Sequence, residues 1–147
     1  MQPIKEFDLY FSCAQFSFFD KALAEPFLEW DEQHTAQGFV RGDSIAAVGT
    51  LLGNGIARAT VFAEPPRDVA KYQRVIVAPM AVTSGRVAFS NPDALPEEAV
   101  EIHLPSGHYR VFIAQKLNDD RKSESVDIFF EKTAVSGEDQ PDPCRGP

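Results

Sequence analysis

The sequence predicts a mainly β protein, an antiparallel β-sandwich with one short helix, with a β-barrel as the alternative closure. Three observations carry this. Apolar and polar residues alternate in short runs, the period of a half-buried strand. Turn signals rich in Gly, Pro, Asn and Ser separate those runs at spacings of about ten residues, which gives roughly eight to ten strands. Twelve Phe against one Trp and three Tyr supply large flat rings that suit two facing sheets. At 147 residues the expected organisation is a single domain over 1–134 and a disordered acidic, Pro-rich tail over 135–147.

Taken in order, Phe7, Leu9 and Phe11 alternate with Asp8, Tyr10 and Ser12, and Phe16–Phe19 is expected to continue that strand past a bend or bulge near 13–15. The stretch Leu28–Asp43 breaks the alternation. Asp31 can cap a helix over Glu32–Gln37 by accepting from its first N–H groups, and Gly38 can take the left-handed conformation that ends it. Trp30 and Phe39 are expected to anchor this helix over a strand of small residues, Ser44–Leu51. The turn Leu52-Gly-Asn-Gly55 predicts a hairpin into Ile56–Ala63. Lys71–Ala78 is apolar on both faces toward its end, so it is expected to be central and to break at Pro79. Ser84-Gly85 predicts a second hairpin, between Ala81–Thr83 and Arg86–Ser90. Asn91–Glu98 reads as a surface loop. Val100–Leu104 and Tyr109–Ile113 flank Pro105-Ser-Gly107, the clearest hairpin signal in the chain. Leu117–Ser123 is charged, and Val126–Phe130 is the last strand. Asp127 lies inside that strand, where a half-buried carboxylate needs donors; Arg41, Arg58, Arg74 and Arg110 are the candidate partners.

The net charge of −8 opposes direct nucleic-acid binding, which needs cations to replace phosphate counterions. It opposes docking on an anionic bilayer too. It favours solubility or a basic protein partner. No apolar run approaches the roughly 18 residues of a membrane span, and the first residues lack the order of a signal peptide, so a cytoplasmic protein is expected. Cys13 and Cys144 are expected to be two thiols without a disulfide.

No enzyme motif emerges. His103 and His108, with Glu101, could face one another across a hairpin as metal ligands, but solvated strand ends explain them better, and no metal or cofactor is expected. Gly49-Thr-Leu-Leu-Gly53-Asn-Gly55 lacks the Lys-Ser/Thr of a phosphate loop and reads as a hairpin. The paired carboxylates Glu97-Glu98 and Asp119-Asp120 are adjacent loop residues that point apart, unlike a convergent catalytic pair.

One further set of residues comprises Gln15-Phe16 with Phe19, Trp30 and the acids after it, Gly38-Phe39, and Asp43 to Ala46. It continues with Tyr72, Val75 to Pro79, Val82 with Gly85, Leu104-Pro-Ser-Gly-His-Tyr109, and Asp127-Ile128. In order and spacing this set, which spans roughly Phe7 to Phe130, resembles the ComJ family, competence-associated inhibitors of the bacterial DNA-entry nuclease. The resemblance implies a small non-catalytic protein whose partner is a bacterial DNA-entry nuclease, peripheral at the membrane through that partner if at all. An acidic surface could occupy a nuclease's basic groove with carboxylates where phosphates would lie. The candidate contact residues are Glu29, Asp31, Glu32, Glu97, Glu98, Asp119 and Asp120, and the expected structural anchors are Trp30, Gly38, Phe39 and Asp127. Two other readings stay open: a module binding a small molecule or glycan on Trp30, Tyr72 or Tyr109, and a homo-oligomer formed through an exposed strand edge.

Overall fold

A computed structural model describes residues 2–23, 28, 31–53, 55–119 and 123–133. In chain order its strands are β1 (Lys5–Phe11), β2 (Gln15–Asp20), β3 (Phe39–Arg41), β4 (Ile45–Gly49), β5 (Gly55–Phe62), β6 (Arg74–Val82), β7 (Arg86–Ser90), β8 (Val100–His103), β9 (Gly107–Leu117) and β10 (Glu124–Lys132). The α-helix α1 (Glu32–Gln37) precedes β3, and a 3-10 turn, Pro96–Glu98, lies between β7 and β8. The strands form two five-stranded sheets, β1-β5-β10-β9-β6 and β3-β4-β2-β7-β8. The fold is therefore the expected sandwich and no closed barrel. Every pairing is antiparallel except β5 with β10, which run parallel.

Period-two alternation builds the core. Phe7, Leu9 and Phe11 of β1 turn inward while Glu6, Asp8 and Tyr10 face out. Phe16 and Phe18 of β2 are buried. A series of ring contacts then bridges the sheets: Phe7 to Phe89 at 5.3 Å, Phe89 to Phe18 at 5.5 Å, Phe18 to Phe130 at 6.1 Å and Phe130 to Tyr109 at 5.9 Å. Tilted and edge-on contacts of this kind add to what the buried area alone contributes.

The three expected hairpins are not hairpins. The turns at 50–54, 83–85 and 104–106 join β4 to β5, β6 to β7 and β8 to β9, and each pair has one strand in either sheet. The same holds at 12–14: β1 belongs to one sheet and β2 to the other, so Phe16–Phe19 does not continue the first strand. A tight turn between alternating runs has the same local chemistry whether the chain folds back beside itself or crosses to the opposite layer. β6 also departs from expectation. It starts at Arg74, runs through Pro79 to Val82 and lies at a sheet edge. An edge position tolerates a residue with no N–H to donate.

Strand directions sort the connections into two ends. Where β1 finishes at Phe11 we place the upper end; it gathers the 12–14 turn, α1, the 50–53 loop, the 91–99 loop with its 3-10 turn, and the 118–123 loop. The lower end gathers 42–44, 83–85 and 104–106. The connection 63–73 joins β5 to β6, which run in the same direction with β10 and β9 between them. It returns over the outside of the first sheet, where the Tyr72 hydroxyl donates to Asp127 Oδ2 at 2.5 Å.

Candidate functional site

The helix reading of 32–37 holds, and Gly38 ends it at φ +87°. That glycine is required twice over. Its φ is in the left-handed region, and a Cβ there would lie 2.6 Å from Arg74 Nη1. Phe39 is buried and pairs with Val48, joining β3 to the small-residue strand β4. Trp30, Glu29 and Asp120 lie outside the described residues. Asp31 and Glu32 are exposed at the start of α1, Glu97 and Glu98 are exposed in the 3-10 turn, and Asp119 is exposed in the β9–β10 loop. All five belong to the upper end, but not to one patch. α1 leads into β3 and the 3-10 turn joins β7 to β8, so the two acid pairs stand at opposite edges of the same sheet. Four strand spacings put those edges roughly 19 Å apart. Asp119 lies over the other sheet. Glu98 is partly committed to the fold, since its carboxylate accepts from Leu95 N–H at 2.8 Å.

Asp127 is satisfied without an arginine. Its partner is Tyr72, whose own ionisation is pushed up by burial and by that hydrogen bond. Of the expected cations, Arg58 pairs with Asp8 at 3.2 Å and Glu6 at 3.4 Å, and Arg110 with Glu131 at 3.6 Å. Arg41 donates to the Gly42 carbonyl at 3.1 Å.

The buried charges are ones that alternation alone did not single out. Asp20, at the end of β2, is 1% exposed. It accepts the Thr83 N–H at 2.6 Å and hydroxyl at 2.7 Å, the Ser84 hydroxyl at 2.5 Å and N–H at 3.3 Å, and the Ala22 N–H at 3.1 Å. Burial alone would raise its pKa, but these donors outweigh it and hold the carboxyl down at about 2. Glu124, at the start of β10, is also 1% exposed. It accepts the Leu52 N–H at 2.9 Å and the Leu51 N–H at 3.3 Å. The glycine-flanked loop therefore does cradle an anion in its backbone amides, and that anion is the chain's own carboxylate. Burial pushes Glu124 upward against those two bonds and the nearby charge of Arg74. Arg74 donates to Gln115 Oε1 at 2.6 Å and to the Gly49 carbonyl, which also accepts from Gln115 Nε2 at 2.8 Å. Burial lowers the Arg74 pKa, opposed by Glu124.

His103 pairs in register with Arg86 and His108 with Ala81, in different sheets, so they do not face each other across a hairpin. Among the described residues no group of three or more His, Cys, Asp or Glu could hold a metal. No helix among them is long and apolar enough to cross a membrane. Tyr109 is buried, with its hydroxyl on the Pro105 carbonyl, and Tyr72 is half-buried, so neither offers an open stacking face. Among the described residues the exposed aromatic is Tyr10, which sequence reasoning passed over as the polar phase of β1.

The family described as Competence protein J (ComJ) matches residues 8–135. No curated protein matches the chain. Among solved structures, the fold is similar to that of ComJ from Bacillus subtilis, described as an inhibitor of the DNA degrading activity of NucA. The TM-score is 0.73 at 18% identity, covering 90% of this chain and 98% of that one. It is also similar to a chain described as crocagin biosynthetic gene J, with a TM-score of 0.59 at 14% identity, covering 84% of this chain and 94% of that one.

Proposed function

Because the chain belongs to the Competence protein J (ComJ) family, we propose that it is a non-catalytic inhibitor of a DNA-degrading nuclease, acting by binding the enzyme rather than the DNA. The observation that carries this reading is the family match across residues 8–135, which takes in nearly all of both sheets. The fold likeness to the Bacillus subtilis inhibitor supports it. The chemistry is compatible: the chain carries a net charge of −8, and a nuclease must expose a basic surface to hold DNA. Asp31, Glu32, Glu97, Glu98 and Asp119 are exposed carboxylates at one end of the sandwich, and of these Glu97 and Glu98, together in one loop, are able to stand where phosphates would. Asp20 and Glu124 are spent on the chain's own backbone. This reading places the protein in the cytoplasm, at the membrane only through its partner.

The test is plasmid cleavage by the purified nuclease of the same organism, titrated with the full chain at increasing salt. Inhibition that weakens steeply with salt is expected. Inhibition indifferent to salt removes the phosphate-mimic part and leaves inhibition standing; no inhibition at any ratio overturns the proposal.

A fold does not fix a function, and this fold is shared with the chain described as crocagin biosynthetic gene J; the second reading is that the sandwich binds a small molecule. Thermal-shift screening against peptides and glycans tests it, and a reproducible stabilisation by one compound class supports it.

A further inference from the structure

Tyr10 and Ile56 are register partners on β1 and β5, both on the outward face, and they are 60% and 43% exposed. Directly opposed side chains of a strand pair stand about 5 Å apart, so the two form one apolar spot at the upper end of the first sheet. On the β1 side, Asn91 Nδ2 donates to the Tyr10 carbonyl at 3.0 Å and Ser12 Oγ to Asn91 Oδ1 at 3.2 Å. These bonds pin the acidic 91–99 loop, with Asp93, Glu97 and Glu98, beside the end of β1. On the β5 side the parallel register pairs Ala57 with Glu124, so β10 begins beside Ile56. Below the pair, Asp8 and Glu6 share the face with Arg58. Leu95, 56% exposed, belongs to the same pinned loop.

From this placement we infer that Tyr10 and Ile56 are the apolar centre of the inhibitor's contact with its nuclease, with the 91–99 loop as its acidic rim. The inference rests on the nuclease-inhibitor reading and deepens it. An exposed Tyr beside an exposed branched aliphatic residue is the composition of an interface anchor, and the energy of an interface concentrates in such anchors rather than in rim charges. The charge selects the occupant. A second copy of this chain would bring its own acidic 91–99 loop, and a net charge of −8, against this one, whereas a basic surface is attracted to it. Asp31 and Glu32 stand at the far edge of the opposite sheet, outside this footprint.

The test measures binding of the purified nuclease from the same organism, by calorimetry, to the full chain and to four variants: Tyr10→Ala, Ile56→Ser, Asp31→Asn/Glu32→Gln and Val77→Ala. Val77 is an exposed residue on β6, at the other edge of the same sheet, and is a control. Tyr10→Ala is expected to weaken binding about thirtyfold or more, as for an anchor residue, and Ile56→Ser about tenfold. The α1 double variant and Val77→Ala are expected to change it less than about threefold. Unchanged melting temperatures exclude unfolding as the cause. If the wild-type chain binds and the Tyr10 and Ile56 variants bind equally well, this inference falls and the inhibitor reading stands. If the wild-type chain does not bind, both fall. A wild-type dimer that Tyr10→Ala dissociates, seen by sedimentation, would assign the spot to self-association and overturn the inference.

Discussion

Asp20 at the lower end and Glu124 at the upper end are both carboxylates with 1% exposure, and each reaches from its own sheet to the backbone of a crossing connection. Asp20 collects hydroxyls and N–H groups from Thr83 and Ser84 and the N–H of Ala22, and its pKa falls. Glu124 collects the N–H groups of Leu51 and Leu52, and its pKa rises. The number and kind of donors decide which form of a buried carboxyl is favoured. The turns beside them differ in the same sense. At the lower end the left-handed position is taken by Gly85, at φ +78°. At the upper end Cys13 and Ala14 take it at φ +53° and +58°, without the freedom of glycine. Ala14 is held there by hydrogen bonds to Gly53 and Thr50 of the neighbouring loop. The lower end is a tightly satisfied clamp, and the upper end stores strain in its 12–14 turn.

Breaking the clamp should have the largest effect. Asp20→Ala orphans several buried donors and is expected to cost about 3 kcal/mol, read as a lower urea midpoint. Glu124→Gln keeps an acceptor for the loop and loses the charge that burial penalises, so about 1 kcal/mol or less is expected. A larger loss for Glu124→Gln than for Asp20→Ala would invert the comparison.

Acid titration separates the two groups next. Asp20 lies at about 2 against its ordinary 3.8. Its contribution is therefore fully present above about pH 4 and is lost as pH falls through about 2; it amounts to about 2 kcal/mol. The raised Glu124 acts oppositely, because the folded state holds its proton more tightly. Its term lowers stability as pH rises from the ordinary glutamate range through its folded value. Stability measured against pH should lose the acid-side fall in Asp20→Asn and the higher-pH decline in Glu124→Gln.

Much of this was legible beforehand, in a particular way. Period two identified the inward face of β1, and the Asp31–Gly38 signals placed α1, because capping and alternation are local chemistry. What could not be read was the partner of each strand. Gly53-Asn-Gly55, Ser84-Gly85 and Pro105-Ser-Gly107 announced turns correctly, but the sheet that receives the next strand depends on residues far away in sequence. For the same reason β6 was taken as central and Asp127 was assigned an arginine instead of Tyr72. The acidic loops were found by composition. The Tyr10–Ile56 spot beside one of them was invisible until β1 and β5 were known to be neighbours.

Smaller perturbations sharpen the contrast. Gly38→Ala forces a Cβ into a left-handed site against Arg74 and is expected to cost about 1–2 kcal/mol, measured by thermal unfolding. Ala14→Gly should stabilise by about 0.5 kcal/mol, since strain relief outweighs the added freedom of the unfolded chain. No gain would mean that the upper turn is not strained. Neutralising Glu97 and Asp119 together should leave the melting temperature unchanged within error while weakening nuclease binding.

The measurement that tests the account most directly is amide hydrogen exchange on the full chain, alone and with the purified nuclease. The account predicts added protection at the upper end, in the last residues of β1, the first of β5 and the 91–99 loop, with the 83–85 and 104–106 turns unchanged. Protection confined to the lower end, with the upper loops exchanging as they do in the unbound chain, would contradict it.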